Sequence, residues 1–152
     1  EHMALNEIYN FLQHDDWLAS AGQPTAEQLA EVAMAGFQAV INLGITDSDY
    51  ALPDEAGLVT ALGMDYIHIP VIWTAPSREN LQDFYQALEK LAGKKVFVHC
   101  AANFRATAFI ALYRIQKLGW PPSQAWEMMR QIWEPDEVWS DFITQVLSEP
   151  TA

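Results

Sequence analysis

The sequence predicts an α/β domain built on a central, mostly parallel sheet of four to five strands flanked by helices. Three observations predict it. Short apolar runs such as FQAVINL and VFVH are separated by segments of helical length, an alternation that builds parallel sheets covered by helices. Residues that cap, turn or stop a chain fall between those segments. The last apolar run ends abruptly in His99-Cys100 just before a helical stretch, the layout of a strand that delivers a side chain to a sheet edge.

In chain order, Trp17–Ser20 reads as a short strand and Gly22-Gln23-Pro24 as a turn. Thr25 caps a helix expected over 26–35, and Gly36 ends it. Phe37–Leu43 is a buried strand, followed by a polar loop that carries Asp47 and Asp49. A helix spans 54–62 and stops at Gly63; Asp65–Pro70 then alternates as a strand closed by its proline. After Trp73-Thr74-Ala75-Pro76, Ser77 caps a helix to about Leu91. Gly93-Lys94-Lys95 turns into the strand that starts at Val96, and three helices occupy the remainder.

Composition narrows the function classes. The chain of 152 residues is one domain's worth, expected over 4–150, and it has no linker, repeat or low-complexity segment. Residues 1–3 read as a cloning remnant, which leaves open a leader removed from the natural chain. No apolar run approaches the roughly 18 residues a membrane helix needs, so a cytoplasmic location and no membrane partner are expected. A single cysteine excludes an intramolecular disulfide. The net charge of −12 argues against nucleic acid and anionic membrane as partners, and any phosphate site must concentrate positive charge locally.

Most of the chemistry is written in His99-Cys100-Ala101-Ala102-Asn103-Phe104-Arg105. A buried strand brings the cysteine to a loop at the N-terminus of a helix. There, free N–H groups and the helix dipole favour an anion and a thiolate alike. Arg105 adds a two-pronged donor suited to a tetrahedral oxyanion. A cation so near a helix N-terminus opposes the dipole and gains from a bound anion. The competing reading is a small buried cysteine that only closes a strand.

The chain resembles the cysteine-dependent protein tyrosine and dual-specificity phosphatase superfamily. More narrowly it resembles the small bacterial phosphatase-like domains also found beside β-lactamase-like hydrolases. The resemblance rests on Ser20–Thr25, Gly36–Leu43, Ile69-Pro70-Val71 and His99-Cys100 through Arg105, and spans residues 15–145. It implies a dual-specificity-phosphatase-like fold with Cys100 as thiolate nucleophile and carrier of a phosphoenzyme. Arg105 would clamp two phosphoryl oxygens, and the backbone N–H groups of Ala101, Ala102, Asn103, Phe104 and Arg105 would bind the others. His99 would support the thiolate by hydrogen bonding that fixes the loop.

Two departures from the superfamily pattern matter. Four residues separate Cys100 from Arg105 instead of five, and the usual mid-loop glycine is missing; Asn103, which tolerates a left-handed backbone, is expected in its place. The hydroxyl residue that normally follows the arginine is Ala106, and Thr107 is expected to substitute. The segment that should hold a general acid, Ile72–Ser77, contains none. Asp47 and Asp49 are the first candidates to replace it, because ligand sites gather at the carboxyl edge of such sheets. Glu134 and Asp136 come second.

Further residues carry paired readings. Trp73 walls the pocket or caps the core, and Asn42 is expected to hydrogen-bond the phosphate loop from the neighbouring strand. Gln23-Pro24 shapes a turn near the site. Trp126, Trp133 and Trp139 recur at helix-face spacing, which suggests core packing. His68 reads as a satisfied, partly buried histidine, and His14-Asp15-Asp16 is too compact to imply a metal. No metal or cofactor is expected.

The expected activity is hydrolysis of phosphate monoesters, phosphotyrosine or aryl phosphates preferred, at low rate, with phosphate, sulfate or vanadate as site ligands. A missing general acid costs about 10²–10⁴ in rate and matters least for good leaving groups. The main alternative is a phosphate- or phosphoprotein-binding module that has lost turnover. Sulfur transfer by a thiolate in an anion loop is a third reading. Arsenate reduction is weaker still, since it usually needs further thiols in the same chain.

Overall fold

A computed structural model describes residues 5–149. The expectations about residues 1–3, and the outer ends of the 4–150 range, lie outside them. Strands β1 (Leu12–Gln13), β2 (Leu18–Ala21), β3 (Ala39–Asn42), β4 (Asp65–His68) and β5 (Val96–His99) form one sheet in the order β1-β2-β5-β3-β4. Only β1 runs antiparallel, against β2. The two-residue β1, preceded by a single 3-10 turn at Leu5–Glu7, has no sequence signal of its own. It is defined only by its partner.

Helices α1 (Ala26–Met34) and α2 (Glu55–Ala61) cover one face of the sheet. Helices α3 (Arg78–Lys90), α4 (Phe104–Gln116), α5 (Pro122–Met129) and α6 (Glu137–Leu147) build the other. The strands of the middle are buried on both faces, and their side chains alternate between two cores. Val96, Val98 and Cys100 go to the α3–α6 side, and Phe97 goes to the α1–α2 side. In the same way Ala39, Ile41 and Leu43 oppose Val40. This is why these runs read as continuously apolar.

The caps follow the expected chemistry. Thr25 and Gln28 form a capping box on α1, Ser77 caps α3 and Asp136 caps α6. One reading needs correction: Trp126, Trp133 and Trp139 do not share a helix face. Trp126 lies on α5, Trp133 in the connection after it and Trp139 on α6. Trp133 and Trp139 are nonetheless core residues, meeting Trp73, Phe104 and Phe109 in one aromatic cluster. That cluster joins the α5–α6 region to the loop after β4.

β5, last in sequence but central in space, pairs with β2 on one side and β3 on the other. Cys100 follows it directly, so the sheet places the cysteine at the middle of its carboxyl edge, where parallel sheets bind ligands.

Candidate active site

The loop from Cys100 to Arg105 is held from outside by its carbonyl groups. Gln23 N–H donates to Ala101 O at 3.0 Å, and Asn10 Nδ2 to Ala102 O at 3.0 Å. Thr107 N–H and its hydroxyl both donate to Asn103 O, at 3.1 and 2.8 Å. With the carbonyls turned away, the N–H groups of Ala101, Ala102, Phe104 and Arg105 make no hydrogen bond among the described residues. They stand at the N-terminus of α4, where an anion is favoured. Gly22 permits this close approach, because a Cβ there would lie 2.6 Å from Ala101 O.

Asn103 occupies the left-handed region (φ 71°) just before α4, the conformation in which Asn replaces glycine at least cost. Its Nδ2 donates to Asn10 O at 2.7 Å.

Cys100, Ala101, Ala102, Phe104, Arg105 and Trp73 line one pocket of about 350 Å³. Arg105 is only 5% exposed. Its Nη1 donates to Val71 O at 2.8 Å and its Nη2 reaches the Tyr50 hydroxyl at 3.3 Å. Trp73 takes both of its readings at once. One side faces the pocket, while its ring packs against Phe104, Trp133 and Trp139, and its carbonyl accepts from Trp139 Nε1.

Several residues named from sequence lie elsewhere. Asp47 and Asp49 are exposed and neither lines the pocket; their loop turns its carboxylates to water and brings Tyr50 inward instead. Glu134 pairs with Arg130 at the surface, and Asp136 is committed to the N-cap of α6. No carboxylate lines the pocket among the described residues.

Asn42 does not bond the Cys100–Arg105 loop. Its Oδ1 accepts from Gly44 N–H at 2.8 Å and its Nδ2 donates to Tyr66 Oη at 3.1 Å, so it shapes the turn after β3. The Thr107 hydroxyl is tied to the Asn103 and Phe104 carbonyls and accepts from Trp133 Nε1 at 3.0 Å. That leaves it fixing the loop and the tryptophan.

Two site residues were not singled out from sequence. Tyr50 Oη accepts from Ile45 N–H at 3.0 Å as well as from Arg105. Burial pushes its phenol up, but the bonds from Ile45, Arg105 and Ser48, with the Arg105 charge, bring the net direction down. Glu55 lies in the first turn of α2, 5% exposed, with Oε2 at 2.6 Å from His99 Nε2 and Oε1 accepting from Gln23 Nε2 at 3.0 Å. His99, fully buried, places Nδ1 at 3.1 Å from Cys100 O. In sequence, Asp54-Glu55 reads only as a helix start, and nothing marks Glu55 as buried.

The cysteine that follows β5, the outward-bonded loop and the arginine line one pocket. Residues 9–134 match the family model described as a DSP-PTPase phosphatase fused to NAD+ kinase. The chain belongs to that family. A DUF442 protein from Shewanella putrefaciens CN-32 is 37% identical, with 95% of each chain covered and a TM-score of 0.86. Tk-PTP in its active form, 24% identical, has the same fold, with a TM-score of 0.79 over 93% of this chain and 98% of that one. The beta-lactamase hydrolase-like protein of Xylella fastidiosa (strain Temecula1 / ATCC 700964) is 30% identical over 101 residues. That match covers 64% of this chain but only 23% of the relative. The family has the dual-specificity phosphatase fold, here an α/β sheet of five strands with Cys100 and Arg105 at its carboxyl edge.

Proposed function

We propose that the chain hydrolyses phosphate monoesters through a cysteinyl-phosphate at Cys100, slowly and with a preference for aryl phosphates. The observation that carries this reading is that Cys100, Arg105 and loop residues whose N–H groups make no hydrogen bond among the described residues line one pocket at the α4 N-terminus. The Cys100 thiolate attacks phosphorus, an S–P bond forms, and the bond to the ester oxygen breaks. Arg105 and the N–H groups hold the equatorial oxygens. Water then attacks phosphorus, the S–P bond breaks, and inorganic phosphate leaves.

The aryl preference rests on the pocket's lining. With no carboxylate lining the pocket among the described residues, the departing group takes its proton from water, which an aryloxide tolerates and an alkoxide does not. Trp73 and Phe104 offer apolar walls to a ring. With the Thr107 hydroxyl tied down, expulsion of the thiolate in the second step is unassisted. Breakdown of the phosphoenzyme therefore limits turnover, and a burst of phenolate precedes the steady state.

The same absence of a pocket acid favours a second reading, a phosphate- or phosphoprotein-recognition module without turnover. One experiment separates them: p-nitrophenyl phosphate hydrolysis near pH 6 by the parent chain and Cys100→Ser, with vanadate inhibition and phosphate binding measured on both. The proposal expects vanadate-sensitive turnover that vanishes in Cys100→Ser while phosphate still binds. No turnover above the variant, with phosphate binding intact, would leave the recognition module.

A further inference from the structure

His99 and Glu55 form the one ion pair among the described residues in which both side chains are buried. Nothing in the hydrolytic mechanism above uses Glu55. His99 contacts two groups through its two ring nitrogens: Nε2 lies 2.6 Å from Glu55 Oε2, and Nδ1 lies 3.1 Å from Cys100 O. A carbonyl and a carboxylate are both acceptors, so making both bonds requires a proton on each ring nitrogen.

We propose that Glu55 is a positioning residue that keeps His99 as a buried imidazolium, whose charge beneath the loop favours the thiolate of Cys100. The inference rests on the reading of Cys100 as nucleophile. It does not depend on whether turnover follows.

The surroundings fit the assignment. Burial pushes the Glu55 carboxyl up, yet the bonds from His99 and Gln23 and the charges of His99 and His68 hold it below its ordinary value. The second carboxylate oxygen is taken by Gln23, the residue whose N–H also holds Ala101 O. In the sheet, the neighbours of His99 are Ala21 and Asn42, both neutral. The other titratable groups around the pair are His68 and Tyr66 on β4, whose ring nitrogen and phenol are engaged by Gly44 O and Asn42. Arg105, on α4, is the second cation of the loop; its Nη1 donates to Val71 O and its Nη2 to Tyr50 Oη. A cation with one charge-assisted bond to Glu55 and one to the Cys100 carbonyl also fixes the register of the loop to the strand.

Two measurements test this without an activity assay. In the parent chain at pH 7, ¹⁵N NMR of the ring nitrogens should show His99 with both nitrogens protonated. A neutral ring there, with the proton on Glu55 or on one nitrogen only, overturns the proposal. The chain has one cysteine, so thiolate absorbance at 240 nm between pH 4 and 8 reports Cys100 alone. In Glu55→Gln the midpoint should move to higher pH by about one unit, and Glu55→Asp should restore part of that shift. Glu55→Gln combined with His99→Asn should add little to His99→Asn alone, as expected of residues acting through one another. A midpoint unchanged in a folded Glu55→Gln overturns the proposal, and if that variant does not fold the NMR measurement decides. Failure of the parent to hydrolyse phosphate monoesters would reject the proposed activity while leaving these readouts intact.

Discussion

Asn10 and Asn103 clamp each other across the loop. Asn103 Nδ2 donates to the Asn10 carbonyl at 2.7 Å, while Asn10 Nδ2 donates to the carbonyl of Ala102, the residue before Asn103. Both asparagines are in the left-handed region, at φ 52° and 71°. Asn103→Ala should therefore pay twice, about 1 kcal/mol for the backbone and about 1 for the lost bond. Asn103→Gly keeps the backbone at ease and loses only the bond. Thermal melts should order the parent above Asn103→Gly and that above Asn103→Ala, with phosphate affinity following the same order. Equal melting points would show that the left-handed backbone is not strained in the alanine variant.

Tyr50, not an acid, is the residue of the β3–α2 loop that reaches the arginine. Tyr50→Phe removes the oxygen that Ile45 N–H and Arg105 Nη2 share, so the fork loses one of its two supports. A loss of about tenfold in kcat/KM for an aryl phosphate is expected, the scale of one hydrogen bond to a charged group. Asp47→Asn and Asp49→Asn should each change it less than about twofold, since both carboxylates are exposed and outside the pocket. A large loss at either aspartate, with Tyr50→Phe unaffected, would restore the acid role to that loop.

His14 makes the fold acid-sensitive. Burial, then the charge of Arg114, lowers its pKa to about 3, while its Nε2 pairs with Ser20 Oγ at 2.7 Å. In the unfolded chain it takes a proton near its ordinary value of 6.5, and in the folded chain it stays neutral until about 3. Between those values the unfolded state binds the extra proton, so stability falls as pH falls across that window, by a few kcal/mol at most. Urea midpoints measured from pH 7 to 4 should decline in the parent and decline less steeply in His14→Gln. Parallel slopes would assign the acid sensitivity to other groups.

The net charge of −12 surrounds a pocket whose only lining cation among the described residues is Arg105. Long-range repulsion should disfavour acidic phosphopeptides and favour basic ones. Raising ionic strength from 0.01 to 0.15 M shortens the screening length from about 30 to about 8 Å. kcat/KM should then rise for an acidic phosphopeptide and fall for a basic one. If both move the same way, the surface field does not select substrates.

Particular residues show how far local sequence reaches. VFVH followed by Cys100, Ala101 to Phe104 and Arg105 announced a strand, a loop and a helix start, because periodicity, cap chemistry and the helix dipole are all local properties. Ser77 and Thr25 cap helices for the same reason, whereas Asp136, read from sequence as an acid candidate, proved to be the cap of α6. β1 escaped notice because two residues carry no period, and its existence depends on β2.

What the amino-acid sequence determined by itself was the α/β class, the order of its elements from β2 onward and the pairing of a cysteine with an arginine at one helix N-terminus. Only the tertiary structure decided which distant side chains meet there. Tyr50 and Glu55 lie 55 and 44 residues from the groups they bond, Arg105 and His99. Thr107 turned away from the pocket and Asn42 toward Tyr66 because a neighbouring carbonyl, an indole and a phenol were in reach. The physical reason is that a hydrogen bond depends on geometry within a few ångströms, and chain separation says nothing of that distance until the sheet has brought the segments together.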